Sequence, residues 1–130
     1  MNLNIEEKRA RVMNEGYNEF CSDWSNVSIT TTMKDLTDCV HRYHELSPER
    51  FEDMDTPFII AEFGCATGAS SVLPLIAIID AVRLIQPEMT IQVILNDLPE
   101  NHHSMAIEAV SEGLVDYEDV FIMVAGKDFT

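Results

Sequence analysis

A glycine-rich stretch directly after an apolar segment, residues 58–68 (F-I-I-A-E-F-G-C-A-T-G), constrains the fold of this chain more than any other feature. Four apolar residues follow Pro57 and predict a buried strand of a parallel sheet. Gly64 and Gly68 come next, and an apolar pattern with helical spacing then begins. A strand, a glycine-rich turn and a helix bring bare backbone N–H groups against a ligand at the helix N-terminus. Glycine suits the turn because a Cβ would hold the ligand off and because a positive φ is expected there. The stretch therefore predicts a site for a nucleotide-like ligand.

The chain beyond this turn continues to alternate between helices and strands. A helical pattern follows Gly68 and ends at Gln86-Pro87, and a second one covers residues 100–113. Strand patterns cover residues 90–95 and 119–125. The order β-α-β-α-β predicts an α/β, Rossmann-like fold with parallel strands and right-handed crossovers. The buried face of the first of these helices is predicted to consist of Val72, Leu75, Ile76, Ile79, Val82 and Leu84.

The segment of residues 16–29 combines loop-forming residues with an unusual number of aromatic ones. Gly, Asn, Ser and Asp alternate there with Tyr17, Phe20 and Trp24. Such a composition indicates a loop rather than a helix. The aromatic side chains either pack in the core beneath this loop or form a lid over a ligand.

A helical pattern follows this loop and leads toward the first strand. The helix is predicted to begin at Thr32, with a capping pair in its first turn, and to end at Ser47-Pro48. Residues 49–56 are interpreted as an acidic loop. The chain is therefore divided into residues 1–56, a helical and lid segment, and residues 57–130, a cofactor-binding half whose sheet is incomplete.

The charge balance and the cysteine residues limit the partners and the compartment. Among 130 residues, 23 are acidic and 8 are basic, which gives a formal net charge of −15. Nucleic acid and anionic membranes are therefore not expected as partners. No apolar run has the length of a signal core or a membrane span. Cys21, Cys39 and Cys65 are odd in number and far apart, which is typical of reduced thiols in a cytoplasmic protein.

The glycine spacing discriminates between nucleotide ligands. Residues 64–71 lack the lysine of a phosphate-binding loop, and Ala66 occupies the second glycine position of the dinucleotide motif. A nucleoside without phosphates, such as S-adenosylmethionine, fits better, since its cationic sulfonium suits the acidic Glu62. Asp97, at the tip of the next strand, is placed to accept hydrogen bonds from ribose hydroxyls. Asp97 could equally serve a nicotinamide cofactor or cap the following helix.

Histidine residues do not indicate a metal site in this sequence. His41, His44 and Glu45 have the spacing of ligands on one helical turn, but no second ligand cluster accompanies them. His102 and His103 are interpreted as helix-capping or surface residues. We predict no metal ion.

Two motifs in sequence order resemble a known family. E-F-G-C-A-T-G followed by N-D-L-P-E-N is similar to the motifs of the plant salicylic acid, benzoic acid and theobromine methyltransferases and their animal relatives. The resemblance extends from about Tyr17 to the last residues, where G-K-D-F replaces the family's G-S-F. It implies a Rossmann-like methyltransferase fold, S-adenosylmethionine as cofactor, and methyl transfer to a carboxylate or ring nitrogen of a small molecule.

The resemblance also implies site residues. The methionine end of the cofactor would lie against Glu62 and the two glycines, and Asp97 would hold the ribose hydroxyls. Trp24 stands where the family has a glutamine that helps to hold the acceptor. The residues implied to line the cofactor site are Tyr17, Glu62, Gly64, Cys65, Gly68, Ser70, Asp97, Leu98, Asp128 and Phe129.

The family resemblance raises a question of completeness. Methyl transfer to an ionised carboxylate requires alignment but no general base, so we predict no catalytic side chain. The family's sheet has seven strands and a helical cap that forms the acceptor pocket. Here the helices are expected to cover both faces around the second strand and to leave one edge of the first strand unpaired. We therefore expect either the N-terminal part of a longer enzyme or a chain that pairs with another protein, including a second copy.

Two alternatives to a complete methyltransferase remain at this point. One is a methyltransferase-like module that does not catalyse and acts by pairing with another protein. The other is a nicotinamide-dependent oxidoreductase, which the glycine spacing disfavours.

Overall fold

The computed structural model describes residues 22–64, 68–97 and 103–126. This part of the chain forms a parallel sheet with helices before and between its strands. The elements are α1 (Ser22–Leu46), α2 (Pro48–Glu52), β1 (Phe58–Phe63), a 3₁₀ turn (Ala69–Ser71), α3 (Val72–Ile85), β2 (Ile91–Asp97), α4 (His103–Gly113) and β3 (Val120–Gly126).

The three strands are parallel and lie in the order β1-β2-β3. Ile60 is in register with Val93, and Val93 with Ile122, so these three side chains lie on the same face of the sheet. The predicted β-α-β-α-β order and the Rossmann-like class are confirmed. Because α3 and α4 make consecutive crossovers in the same direction, right-handed connections put both helices on one face.

The hydrophobic core lies between that face and the helices. Ile60, Val93 and Leu95 belong to one buried cluster together with residues of α1, α2, α3 and α4. On α3, Leu75, Ile79 and Val82 are buried, as the periodicity predicts. The prediction for Leu84 is wrong, because its side chain is 79% exposed. Two residues along a helix correspond to a rotation of about 200°, so Leu84 points away from the core that Val82 enters.

The opposite face of the sheet is apolar and exposed. Ile59 and Phe63 of β1, and Phe121 and Met123 of β3, lie on it and are between 49% and 65% exposed. We call these four residues the open face. No described helix covers it, and no described strand pairs with the outer edge of β1. Within the described residues, the unpaired edge of β1 agrees with expectation. The expected cover on both faces is not found there, since the helices between the strands share one side.

The N-terminal helix is longer than the sequence pattern predicts. It begins at Ser22 instead of Thr32, so the predicted loop is wrong for residues 22–29, and Thr32 lies inside the helix. Ser, Asn and Thr are weak helix formers, but propensities of this size are readily overridden by packing, and α1 packs along α3. The helix ends at Leu46, before Ser47-Pro48, as predicted.

A short helix replaces the first part of the predicted acidic loop. Helix α2 begins with Pro48, whose missing N–H costs nothing in the first turn. It buries Phe51 in the core. Arg50 then connects α2 to β1, since its guanidinium donates to the carbonyl oxygens of Thr56 at 3.0 Å and Pro57 at 2.6 Å. These contacts fix the amino end of β1 and leave its carboxyl end for the site.

No helix in the described part of the chain is long and apolar enough to cross a membrane.

Candidate functional site

The carboxyl ends of the strands bring the acidic candidates to one edge of the sheet. Glu62 is in register with Leu95, so Asp97 extends two residues further along β2 on the same sheet face. The N–H of Gly64 donates to the carbonyl oxygen of Asn96 at 2.7 Å, which holds the start of the glycine turn against β2. Neighbouring strands are only about 4.8 Å apart. The edge therefore presents Glu62 and Asp97 beside the glycine turn.

The two glycines of the turn both have a φ of +83°, in the left-handed region that favours glycine. The predicted need for a positive φ is confirmed. Their surroundings differ. A Cβ at Gly64 would meet no atom within 4 Å, so this glycine faces open space. A Cβ at Gly68 would lie 2.8 Å from the carbonyl oxygen of Ala106 in α4. Gly64 thus leaves room for a ligand, whereas Gly68 allows the turn to pack on a neighbouring helix.

Glu62 is partly buried at the end of β1. Burial raises the pKa of its carboxyl group above the usual value, and the nearby Ser71 hydroxyl partly offsets this shift. The Glu62 Oε2 atom is inaccessible to solvent and accepts no hydrogen bond. A buried carboxylate oxygen without a partner is costly, because it has lost its hydration and gained nothing in return.

Three buried polar side-chain atoms in the described ranges lack a hydrogen-bond partner: Glu62 Oε2, Ser71 Oγ and Asn96 Oδ1. All three belong to residues at the strand ends or in the turn that follows β1. Buried polar atoms are nearly always paired in folded proteins, so the orphans of Glu62 and Ser71 indicate a place for a polar ligand after β1. Asn96 is in register with Phe63, so its side chain lies on the opposite face of the sheet from Glu62. Sequence reasoning missed Ser71 and Asn96, although Asn96 opens the N-D-L-P-E-N motif and Ser71 follows Ser70.

Asp97 ends β2 and is buried, with 6% of its surface exposed. It is in register with Gly126, the last residue of β3. A Cβ at Gly126 would lie 2.5 Å from Cε1 of His103, so the His103 ring packs over the end of β3. His103 is the first residue of α4. Because Gly126 has no side chain, the first residue of α4 can pack against the end of β3, beside Asp97.

Three of the predicted site residues, Glu62, Gly64 and Asp97, lie together at the carboxyl ends of β1 and β2. Gly68 lies in the turn after β1 and packs on α4. Ser70 lies in the 3₁₀ turn and is exposed. Trp24 lies in helix α1. The other predicted positions fall outside the described residues, and they are Tyr17, Cys65, Leu98, Asp128 and Phe129.

Metal ligands do not cluster in the described ranges. No group of three or more His, Cys, Asp or Glu side chains within them could hold a metal ion. His41 and His44 lie on α1 without further ligands that would complete such a group.

A parallel sheet with a positive-φ glycine turn after its first strand, and acidic residues at the strand ends, is the architecture of a Rossmann-like nucleoside-binding protein. A family model for the SAM dependent carboxyl methyltransferases matches residues 9–126. The chain belongs to this family. It is a methyltransferase by family, its cofactor is S-adenosylmethionine, and its acceptor is a small molecule. Searches of curated proteins and of solved structures find no match.

Proposed function

We propose that this chain binds S-adenosylmethionine at the carboxyl ends of β1 and β2, as the cofactor-binding half of an enzyme that methylates a carboxylate or a ring nitrogen. One observation carries the proposal: the buried Oε2 of Glu62 has no partner and belongs to a strand end two residues before the open space at Gly64. An acceptor atom of this kind suits a ligand with a positive charge. S-adenosylmethionine carries an ammonium and a sulfonium group.

The remaining cofactor contacts are proposed from the family resemblance. Asp97 would accept hydrogen bonds from the ribose hydroxyls, and Leu98 would pack near the adenine. Asp128 and Phe129 would complete the adenine pocket, the latter by stacking its ring on the base. The other proposed contacts with the cofactor are made by Tyr17, Cys65, Gly68 and Ser70.

The chain's own groups act mainly by alignment. When bound, the cofactor supplies an electrophilic methyl group on its sulfonium sulfur. Glu62 would hold the methionine end of the ligand and Asp97 its central ribose, and the glycine turn would let the backbone approach the ligand closely. A carboxylate acceptor is ionised at neutral pH, so no side chain needs to remove a proton. We propose Trp24 as a contact for the acceptor.

The proposed compartment is the cytoplasm. Cys39 is an exposed free thiol in the described part of the chain. Such a residue is typical of a reducing compartment.

Calorimetric titration with S-adenosylmethionine tests the proposed cofactor site. The wild-type chain is expected to bind, and Asp97→Ala is expected to weaken binding by about 1–3 kcal/mol, or about 5- to 150-fold, because the ribose hydroxyls lose their acceptor. Asp116→Ala is the control, since it removes the same charge from an exposed turn at the opposite end of the sheet. Absence of binding by the folded wild-type chain, or an equal loss in both variants, would contradict the proposal.

A second candidate function has support from the open face. The four apolar side chains on it, and the unpaired edge of β1, resemble a surface that another polypeptide covers. In this alternative the chain is a methyltransferase-like module that acts by pairing with another protein, including a second copy of itself. A chain that stays monomeric at all concentrations would speak against it.

A further inference from the structure

The last residue of β3 has no side chain, and a residue of another element fills the space. Gly126 does not have a positive φ, so its backbone would accept an alanine without strain. A Cβ there would nevertheless lie 2.5 Å from Cε1 and 3.2 Å from Nδ1 of His103. The imidazole ring of His103 therefore occupies the volume that a side chain at the end of β3 would take.

This volume is the cross-strand neighbour of the Asp97 side chain. Asp97 is in register with Gly126, so both positions direct a side chain to the same face of the sheet. Because neighbouring strands are about 4.8 Å apart, Cε1 of His103 lies within about 8 Å of the Asp97 Cβ. The carboxyl group and the ring extend into most of that distance. The ring thus forms the wall of the Asp97 site on the side of β3.

The first turn of α4 is held at two points around the proposed site. His103 begins the helix, and Ala106 lies three residues further on, so the two share a helix face. His103 packs on the end of β3, whereas the backbone of Ala106 packs on Gly68 in the turn after β1. Gly64, by contrast, faces open space. Asp97 is therefore closed on the side of β3, while the strand on its other side ends at an opening.

We infer that His103 is a positioning residue for Asp97: by filling the side-chain space at the end of β3, its ring keeps the Asp97 carboxylate from turning toward that strand and directs it to the ribose hydroxyls of the ligand. This inference rests on the proposed cofactor site. His103 acts by packing, since the ring occupies the volume that a rotated carboxylate would enter. A carboxylate that turns away loses the hydroxyls, because hydrogen bonds weaken steeply when their angle departs from linearity.

The test measures the preference for ribose hydroxyls. It is the ratio of the affinity for S-adenosylmethionine to the affinity for an analogue without ribose hydroxyls, both from calorimetric titration. His103→Ala removes the ring, Gly126→Ala places a methyl group in the space of the ring, and His103→Phe retains an aromatic ring. His41→Ala is the matched control, since His41 is an exposed histidine on α1. Circular dichroism verifies that each variant is folded.

His103→Ala is expected to lower this preference about tenfold, because the loss concerns the hydroxyls and spares the rest of the ligand. Gly126→Ala should lower it to a similar extent, because the methyl group displaces the ring. In the double variant, Gly126→Ala should add nothing to His103→Ala, since no ring remains to be displaced. His103→Phe and His41→Ala should follow the wild type.

A preference that His103→Ala leaves unchanged, with any loss of affinity equal for both ligands, overturns the inference and leaves the proposed function standing. The inference is also overturned if Gly126→Ala has its full effect without the ring, or if His103→Phe falls as low as His103→Ala. Absence of binding of either ligand by the folded wild-type chain contradicts the proposed function itself, and this inference with it.

Discussion

Gly68→Ala is expected to destabilise the chain far more than Gly64→Ala, although the two glycines have the same φ of +83°. A left-handed conformation costs a non-glycine residue about 1–2 kcal/mol, and both variants incur this cost. At Gly68 the new Cβ would also lie 2.8 Å from the carbonyl oxygen and 2.9 Å from the Cα of Ala106. These are backbone atoms of α4 and cannot rotate away, so overpacking adds about 1–3 kcal/mol.

Urea unfolding followed by circular dichroism measures both losses. The expected total is about 2–5 kcal/mol for Gly68→Ala and about 1–2 kcal/mol for Gly64→Ala. Cofactor affinity should fall more in Gly64→Ala than in Gly68→Ala, because a methyl group at Gly64 enters the open space that the proposed ligand approaches. Equal losses of stability in the two variants would show that Gly68 does not pack on α4 as described.

The second large effect concerns the open face. The wild-type chain is expected to self-associate as its concentration rises. In the described ranges the sheet has one uncovered apolar face and unpaired outer edges on β1 and β3, and these offer a surface for further chains. Replacing Phe121 and Met123 by threonine keeps a strand-forming residue at both positions while removing apolar surface. The double variant should remain monomeric at concentrations where the wild type does not, as measured by size-exclusion chromatography with light scattering.

Leu84→Thr provides the matched control for the open face. Leu84 is the most exposed of the large apolar side chains in the described ranges, at 79%, but it lies on α3 and away from the open face. Its replacement should leave association unchanged. If it reduces association as much as the double variant does, general surface hydrophobicity is responsible and the open face has no special role. Cofactor affinity should be the same in all of these variants, because Glu62 lies on the other face of the sheet.

Local patterns in the sequence were sufficient to predict the order of the three strands and of the two helices between them, and the residues at which α1 and α3 end. The apolar run before Gly64, the helical period after Gly68 and the stop at Gln86-Pro87 each act within a few residues of the position they determine. The positive φ of both glycines follows from the same local chemistry. Parallel strands then bring Glu62 and Asp97 to one edge, because every β-α-β connection puts the carboxyl ends of its strands on the same side.

Tertiary structure decided what surrounds those residues. Three features of the site depend on how separate elements pack together. They are the burial of Glu62, the contact between Gly68 and Ala106, and the absence of a hydrogen-bond partner for the Ser71 hydroxyl. The same is true of the open face, since strand alternation predicts that two faces exist but not which of them the helices cover. A sequence pattern records the period of a segment, whereas burial and hydrogen bonding are properties of the neighbours that the completed fold supplies.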